Sequence, residues 1–205
     1  MNVLLIQGHP HGQAFNRGLA DAYAEGARGA GAQVEVLDLE AMAFDPVLHH
    51  GYAEIQPLEP DLQAAQRSIE HADHVVVAFP VWWGAPPALL KGFFDRTFLP
   101  GFAFEFPEGW PLPRRLLSGR SAHVILTMDA PQPVYAWTYR NSAHRAVIQG
   151  TLKFSGMGPV TSSTVSAVKY LPRWARDAQL WRHRQLGAWH VRRRQRAFGL
   201  LDRAA

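Results

Sequence analysis

The stretch VVVAFPVWWGAPPALLKGFFDRTF, residues 75–98, decides the fold. It opens with a short apolar run rich in β-branched residues, which predicts a buried strand over residues 74–79. Pro80, Trp82, Trp83, Gly84, Pro86 and Pro87 follow in quick succession. A helical pattern then runs from residue 87, where proline suits a first turn, to residue 98. A stiff turn just past a buried strand cannot hide two indoles in the core beneath it. The rings therefore cover a neighbouring subunit or wall a flat ligand.

The same strand-then-helix alternation extends in both directions. Residues 2–7 (NVLLIQ) predict a first strand, GHPHGQAFN a loop, and residues 17–30 a helix ended by Gly31. Residues 34–37 predict a second strand. Residues 39–60 form a long irregular connection, a length at which loops tend to be functional. Asp61 is expected to cap a helix over residues 61–72. Beyond the opening stretch, residues 100–115 are a proline-rich loop with Phe102, Phe104, Phe106 and Trp110. Residues 121–127 (SAHVILT) predict a fourth strand, residues 137–154 a helix, and residues 160–165 (VTSSTV) a fifth strand.

Five alternations point to a single α/β domain over residues 1–205: a doubly wound five-stranded parallel sheet with helices on both faces. In such sheets ligands sit at the carboxyl ends of the strands. The loops after strands one, three and four are the three distinctive ones, so one ligand could touch all three.

Composition narrows the function classes. With 205 residues and 47% hydrophobic content, one ordinary core is affordable and disorder is excluded. The absence of cysteine removes disulfides, thiolate metal sites and a cysteine nucleophile. The start, MNVLLIQGHP, lacks a basic leader and a long apolar stretch, and prolines interrupt residues 75–90. A soluble cytoplasmic protein is the expectation. Much of the +4 net charge lies in RWARDAQLWRHRQLGAWHVRRRQRAFG, residues 173–199. Trp174 and Trp181 are seven apart, so the segment predicts a last helix packed by its tryptophans with arginines in water, and not a nucleic-acid site.

The first loop precedes a helix, and a helix N-terminus suits phosphate. His9, Gln13 and Asn16 could donate to phosphate oxygens there, or Asn16 could simply cap the helix. Neither GxxxxGK[ST] nor GxGxxG occurs. The pairs His9/His11, His49/His50 and His71/His74 lack carboxylates at metal-ligand spacing, so no metal is expected. No GxSxG elbow supports a hydrolase.

Taken together, GHPHGQAFN (8–16), DLEAMAFDPVL (38–48) and FPVWWGAPPALLKGFFDRTFLPGFAFEF (79–106) resemble the flavodoxin-like NAD(P)H:quinone oxidoreductases of the DT-diaphorase type. The match is dense to about residue 106. The resemblance implies strand order 2-1-3-4-5, a flavin, a homodimer, and two-electron ping-pong hydride transfer from NAD(P)H to a quinone-like acceptor. It implies that His9, Phe15 and Asn16 form the flavin phosphate loop, and that Gln66 contacts the dinucleotide part of the cofactor. Pro80, Val81, Trp82, Trp83 and Gly84 would lie beside the isoalloxazine. FAD is favoured over FMN because Gln66 and Asn16 are kept.

Phe104 and Phe106 stand where the family carries two tyrosines at the acceptor pocket, so that wall, shared with Trp83, becomes more apolar. After strand four a TTGG-type loop is replaced by Thr127, Met128, Asp129 and Ala130. A carboxylate aimed at the ring there would oppose negative charge on it. Tyr135 keeps a family tyrosine's spacing. Asn141 takes the expected histidine's place, leaving Tyr135 and His144 as proton-handling candidates and a surface role as the plainer reading of His144. The alternative is a regulatory subunit like the flavodoxin-like ancillary proteins of potassium efflux systems, docked on a membrane protein through the basic last helix.

Overall fold

A computed structural model describes residues 1–109 and 111–201; Trp110 lies outside them. The chain runs β1 (Asn2–Gln7), α1 (Phe15–Gly29), β2 (Gln33–Asp38), α2 (Pro60–His71), β3 (His74–Pro80), α3 (Ala88–Thr97), β4 (Phe104–Glu105) and β5 (Arg114–Arg115). It continues with β6 (Ser121–Thr127), α4 (Gln132–Thr138), α5 (Ser142–His144), β7 (Val160–Val165) and α6 (Arg173–Leu201). Five strands form one parallel sheet in the order β2-β1-β3-β6-β7, and β4 and β5 make a separate two-stranded ribbon.

The central strand β3 is buried along its whole length, as a strand flanked on both sides must be. Its side chains alternate between two apolar clusters, following the two-residue period of a strand. Val75, Val77 and Phe79 join Leu62 and Ile69 of α2 and Leu90 and Phe93 of α3. Val76 and Ala78 join Leu19, Ala20 and Tyr23 of α1 and Val191 of α6.

Helices α1 and α6 meet backbone to backbone. A Cβ added to Gly26 would strike the carbonyl of Arg184, and one added to Gly187 would strike the carbonyl of Tyr23. Two glycines permit this approach because neither carries a side chain. The side chains that α6 turns inward include Leu180, His183, Leu186, His190 and Val191, while Trp174, Trp181 and Trp189 are exposed. The tryptophans therefore do not pack this helix, contrary to the sequence expectation. Trp174 and Trp181 do share a face, but it is the outer one, because the glycine contact leaves no depth for indoles beneath α6.

Two further boundaries differ from expectation. Glu59 holds the N-cap position of α2 and Pro60 its first turn, while the Asp61 carboxylate accepts the Ala43 N–H at 2.7 Å. The helix expected over residues 137–154 is broken. Arg140 and Asn141 both take positive φ, 48° and 53°, and the chain resumes as α5 and then a π-helical run, Arg145–Lys153. Asparagine tolerates the left-handed region, and arginine there must be held by its surroundings.

The irregular connection between β2 and α2 is gathered by one cation. Arg96 of α3 is fully buried; its Nη1 donates to the Asp45 carbonyl, and its Nη2 donates to the Pro57 carbonyl and to Glu59 at 2.9 Å each. A buried guanidinium needs this many acceptors to offset its lost hydration.

At the amino edge of the sheet a hydrogen-bonded chain fills the space under α6. The Tyr23 hydroxyl bridges His74 Nε2 and His190 Nδ1, 2.9 Å each. His74 Nδ1 meets Ser121, and His190 Nε2 meets Thr161. Thr161 also meets His123, which with His183 shares Ser163. Burial, then the neighbouring His190, holds His74 down to about 3 and His123 down to about 2; burial also lowers His190 to about 4. All three are neutral at physiological pH. Among the described residues no group of three or more histidines or carboxylates is placed to share a metal ion.

Candidate functional site

At the opposite, carboxyl edge of the sheet the three distinctive loops converge on one cleft of about 310 Å3. The loop after β1 contributes His9, Ala14, Phe15 and Asn16. The turn after β3 contributes Pro80, Val81, Trp82, Trp83 and Gly84, and the loop after β6 contributes Thr127, Met128, Asp129 and Ala130. Tyr135 of α4, Tyr139 at its C-cap and Val168 complete the wall. Strand register aligns the floor: Pro80 pairs with Thr127, whose carbonyl accepts the Val81 N–H at 2.8 Å.

The aromatic turn is tight. Trp82 and Ala85 exchange both backbone hydrogen bonds at 2.9 Å, and the two residues between them have positive φ, 52° at Trp83 and 76° at Gly84. That is the pattern of a type I′ turn, which glycine and asparagine ordinarily fill. Tryptophan in this region stores about 1 kcal/mol or more of strain. The strained residue holds its ring out: Trp83 is 96% exposed. Trp82 instead packs edge-on to His9, ring centroids 5.5 Å apart. Gly84 is pinned from behind, because its carbonyl accepts the Ser142 hydroxyl and a Cβ there would lie 2.7 Å from the Tyr139 ring.

The N-terminus of α1 carries no side-chain cap. Asn16 is not a capping residue. It is buried, and its amide donates to the Phe79 carbonyl at 3.2 Å and the Ile125 carbonyl at 3.5 Å, tying the ends of β3 and β6 together. Arg17 beside it is spent on Asp38 at 2.5 Å. The loop histidines serve as local acceptors: His9 Nδ1 accepts the His11 N–H, and His11 Nδ1 accepts the Gln13 N–H, 3.1 Å each. A neutral imidazole accepting at Nδ1 carries its proton at Nε2, so each ring retains an N–H donor. Burial and the adjacent His11 lower the His9 pKa, which favours that neutral form. Uncapped helix amides with imidazole N–H donors beside them constitute an anion-accepting end of the cleft.

Tyr135 and His144 come together, with Tyr135 in the wall and His144 behind it. The Tyr135 hydroxyl accepts the Ala143 N–H at 3.0 Å and meets His144 Nδ1 at 3.3 Å. His144 Nε2 meets the Thr164 hydroxyl at 2.9 Å. Burial lowers the His144 pKa. The surface role expected for His144 is overturned, since both ring nitrogens are bonded inward. The Asp129 carboxylate accepts the Lys169 N–H at 2.9 Å, which commits it to the backbone beside the cleft.

Three expected site residues do not meet this cleft. Gln66 donates to the Thr97 carbonyl at 2.9 Å and links α2 to the end of α3. Phe104 and Phe106 line a separate cavity of about 250 Å3 with Tyr52, Phe94, Phe98 and Phe154. Conversely, Tyr139 and Ser142 were not anticipated. The i, i+4 spacing of Tyr135 and Tyr139 on one helix face was the available signal.

The chain is similar to known proteins along most of its length. The flavodoxin-like fold family matches residues 1–185. A ribosyldihydronicotinamide dehydrogenase [quinone] of Pongo abelii is 30% identical over 178 residues, 75% of this chain and 76% of that one. The NAD(P)H:quinone oxidoreductase structure from Methanothermobacter marburgensis superposes with a TM-score of 0.77 at 27% identity, covering 92% of this chain and 98% of that one. The FMN-dependent NADH-azoreductase of Bacillus anthracis shares the fold, with a TM-score of 0.70 at 16% identity over 93% and 98% of the two chains. The chain belongs to the flavodoxin-like fold family, and its relatives with named activities include NAD(P)H:quinone oxidoreductases.

Proposed function

We infer that the protein is a flavin-dependent NAD(P)H oxidoreductase that reduces a quinone-like acceptor in a two-electron ping-pong cycle. One observation carries this reading. The three loops that follow β1, β3 and β6 close on one cleft with an uncapped helix N-terminus in it and the exposed, strained Trp83 at its wall. The residues fit a flavin. The amides of α1 and the His9 Nε2–H suit a phosphate, and Trp83, Pro80 and Val81 offer flat and apolar surface to a ring. A bound flavin would supply hydride acceptance from the nicotinamide and hydride delivery to the acceptor.

Within the protomer Asn16 clamps strands and Gln66 faces α3, so the grounds for preferring FAD lapse and FMN fits the same residues equally well. Phe104 and Phe106 would bear on the acceptor through a second copy, in a homodimer that brings their cavity to a partner's cleft. Tyr135 and His144 would hold a proton in reserve behind the ring, not at an exposed position.

The test is the visible spectrum of the purified protein, with the released chromophore identified. Flavin bands that bleach anaerobically with NADH or NADPH and return on adding a quinone are the expected result. A colourless protein that binds neither FMN nor FAD overturns the reading.

A further inference from the structure

Helix α6 presents a face that neither the sheet nor α1 covers. On it Trp174, Trp181 and Trp189 are 74%, 64% and 48% exposed. At about 100° per residue, Trp174, Trp181 and Arg192 lie within roughly 20° of one line along the helix, and Trp189 lies about 80° to one side. The three indoles span about 22 Å of axis. Arg182, Arg184, Arg193 and Arg196 flank them and are exposed, and Asp177 is the single exposed acid of α6 among the described residues. Arg184 reaches Glu25 of α1 at 3.9 Å, and Arg193 lies 5.0 Å from the Trp189 ring centroid.

Water is a poor partner for three exposed indoles on one side of a helix, each an extensive apolar surface with one polar N–H. A second copy of this face would set arginines against arginines. A nucleic-acid duplex would satisfy the arginines and offer the indoles no apolar layer. A bilayer carrying anionic lipid meets both demands. Indole settles at the headgroup boundary with its body in the apolar layer, and a straight helix lying flat brings Trp174 and Trp181 to the same depth with Trp189 at the edge of the contact. Arginines on both flanks then meet the negative headgroups.

We propose that α6 lays its Trp174, Trp181 and Trp189 face on an anionic lipid surface as a peripheral contact. Among the described residues no helix is long and apolar enough to cross a membrane, so the contact lies along the surface. It stands independently of the redox reading.

The full-length protein is floated with vesicles of phosphatidylcholine alone and with vesicles containing about one third phosphatidylglycerol, at low salt and near 1 M salt. The expected result is co-flotation with the anionic vesicles only, a blue shift of tryptophan emission, and release by salt. The double substitution Trp174→Ser/Trp181→Ser, and separately Arg182→Glu/Arg192→Glu, should each weaken binding at least about tenfold while the circular dichroism spectrum stays unchanged. Absence of binding, equal binding to both vesicle types, or binding indifferent to both variant pairs overturns the proposal. So does an oligonucleotide that binds in the same salt and displaces the vesicles, which would assign the face to nucleic acid.

Discussion

Tyr23 and Tyr135 are both buried tyrosines bonded to a histidine, one at the amino edge of the sheet and one at the carboxyl edge, and their surroundings differ. Around Tyr23 every imidazole has a hydroxyl or carbonyl partner, and α6 lies over the chain of bonds, with a cavity of about 230 Å3 beside His74 and His190. Around Tyr135 the bonds also close inward, but the wall it supports opens on a cleft with an uncapped helix end and an exposed strained tryptophan. Similar side chains thus serve cohesion where their hydrogen bonds are saturated by the fold. They serve binding where donors and rings are left over. The histidines of this chain cannot be sorted by residue type, only by what completes their bonds.

The largest effect should come from the amino edge. Gly187→Ala places a methyl group against the Tyr23 carbonyl, with backbone on both sides and no flexible atom to yield. It should cost about 3 kcal/mol or more, read as a lower midpoint in urea. A loss under about 1 kcal/mol would mean that α6 can lift, and the amino edge would no longer be the cohesive half.

Next comes acid. His74 and His123 have folded pKa values far below the unfolded 6.5, so protons favour the unfolded chain. Their contribution is intact above about pH 6.5 and is lost as pH falls toward 3. Each site costs about 1.4 kcal/mol per pH unit once the unfolded histidine is charged. Arg182, Arg194 and His190 face the same space and oppose a second positive charge. Urea midpoints at pH 8, 7 and 5 should be nearly flat between the first two and fall clearly at the third. A flat profile down to pH 5 would indicate that water reaches the network.

The smallest effect belongs to the carboxyl edge, and its sign is opposite. Trp83→Gly removes a side chain from a left-handed position and should raise stability by up to about 1 kcal/mol, while flavin affinity falls. A loss of stability would show that Trp83 is held by packing in the manner of the amino edge.

The sequence made the alternation of strands and helices legible because β3 is buried on both sides and reads as an unbroken apolar run. It also made the cleft's three loops legible, since all of them follow strands of a parallel sheet. What it concealed was direction. The seven-residue spacing of Trp174 and Trp181 was correct as a shared face, but an apolar residue type does not say which way a face points. The inward face is instead marked by Gly187, small enough for backbone contact. The break at Arg140 and Asn141 carried no glycine or proline. Gln66 matched a family position, yet its amide is taken up by the Thr97 carbonyl, a pairing between residues 31 apart in sequence.

Arg96 has a consequence for how the chain can vary. Because one guanidinium holds the carbonyls of Asp45 and Pro57 and the carboxylate of Glu59, both ends of the intervening segment are fixed at a single point. Its middle, around Gly51, Tyr52, Glu54 and Ile55, is exposed. A ring closed in this way can lengthen cheaply, since each doubling of a flexible loop costs only about 0.6 kcal/mol of closure entropy. Extra residues or a short peptide tag placed there would leave the anchor, and the sheet behind it, as they are.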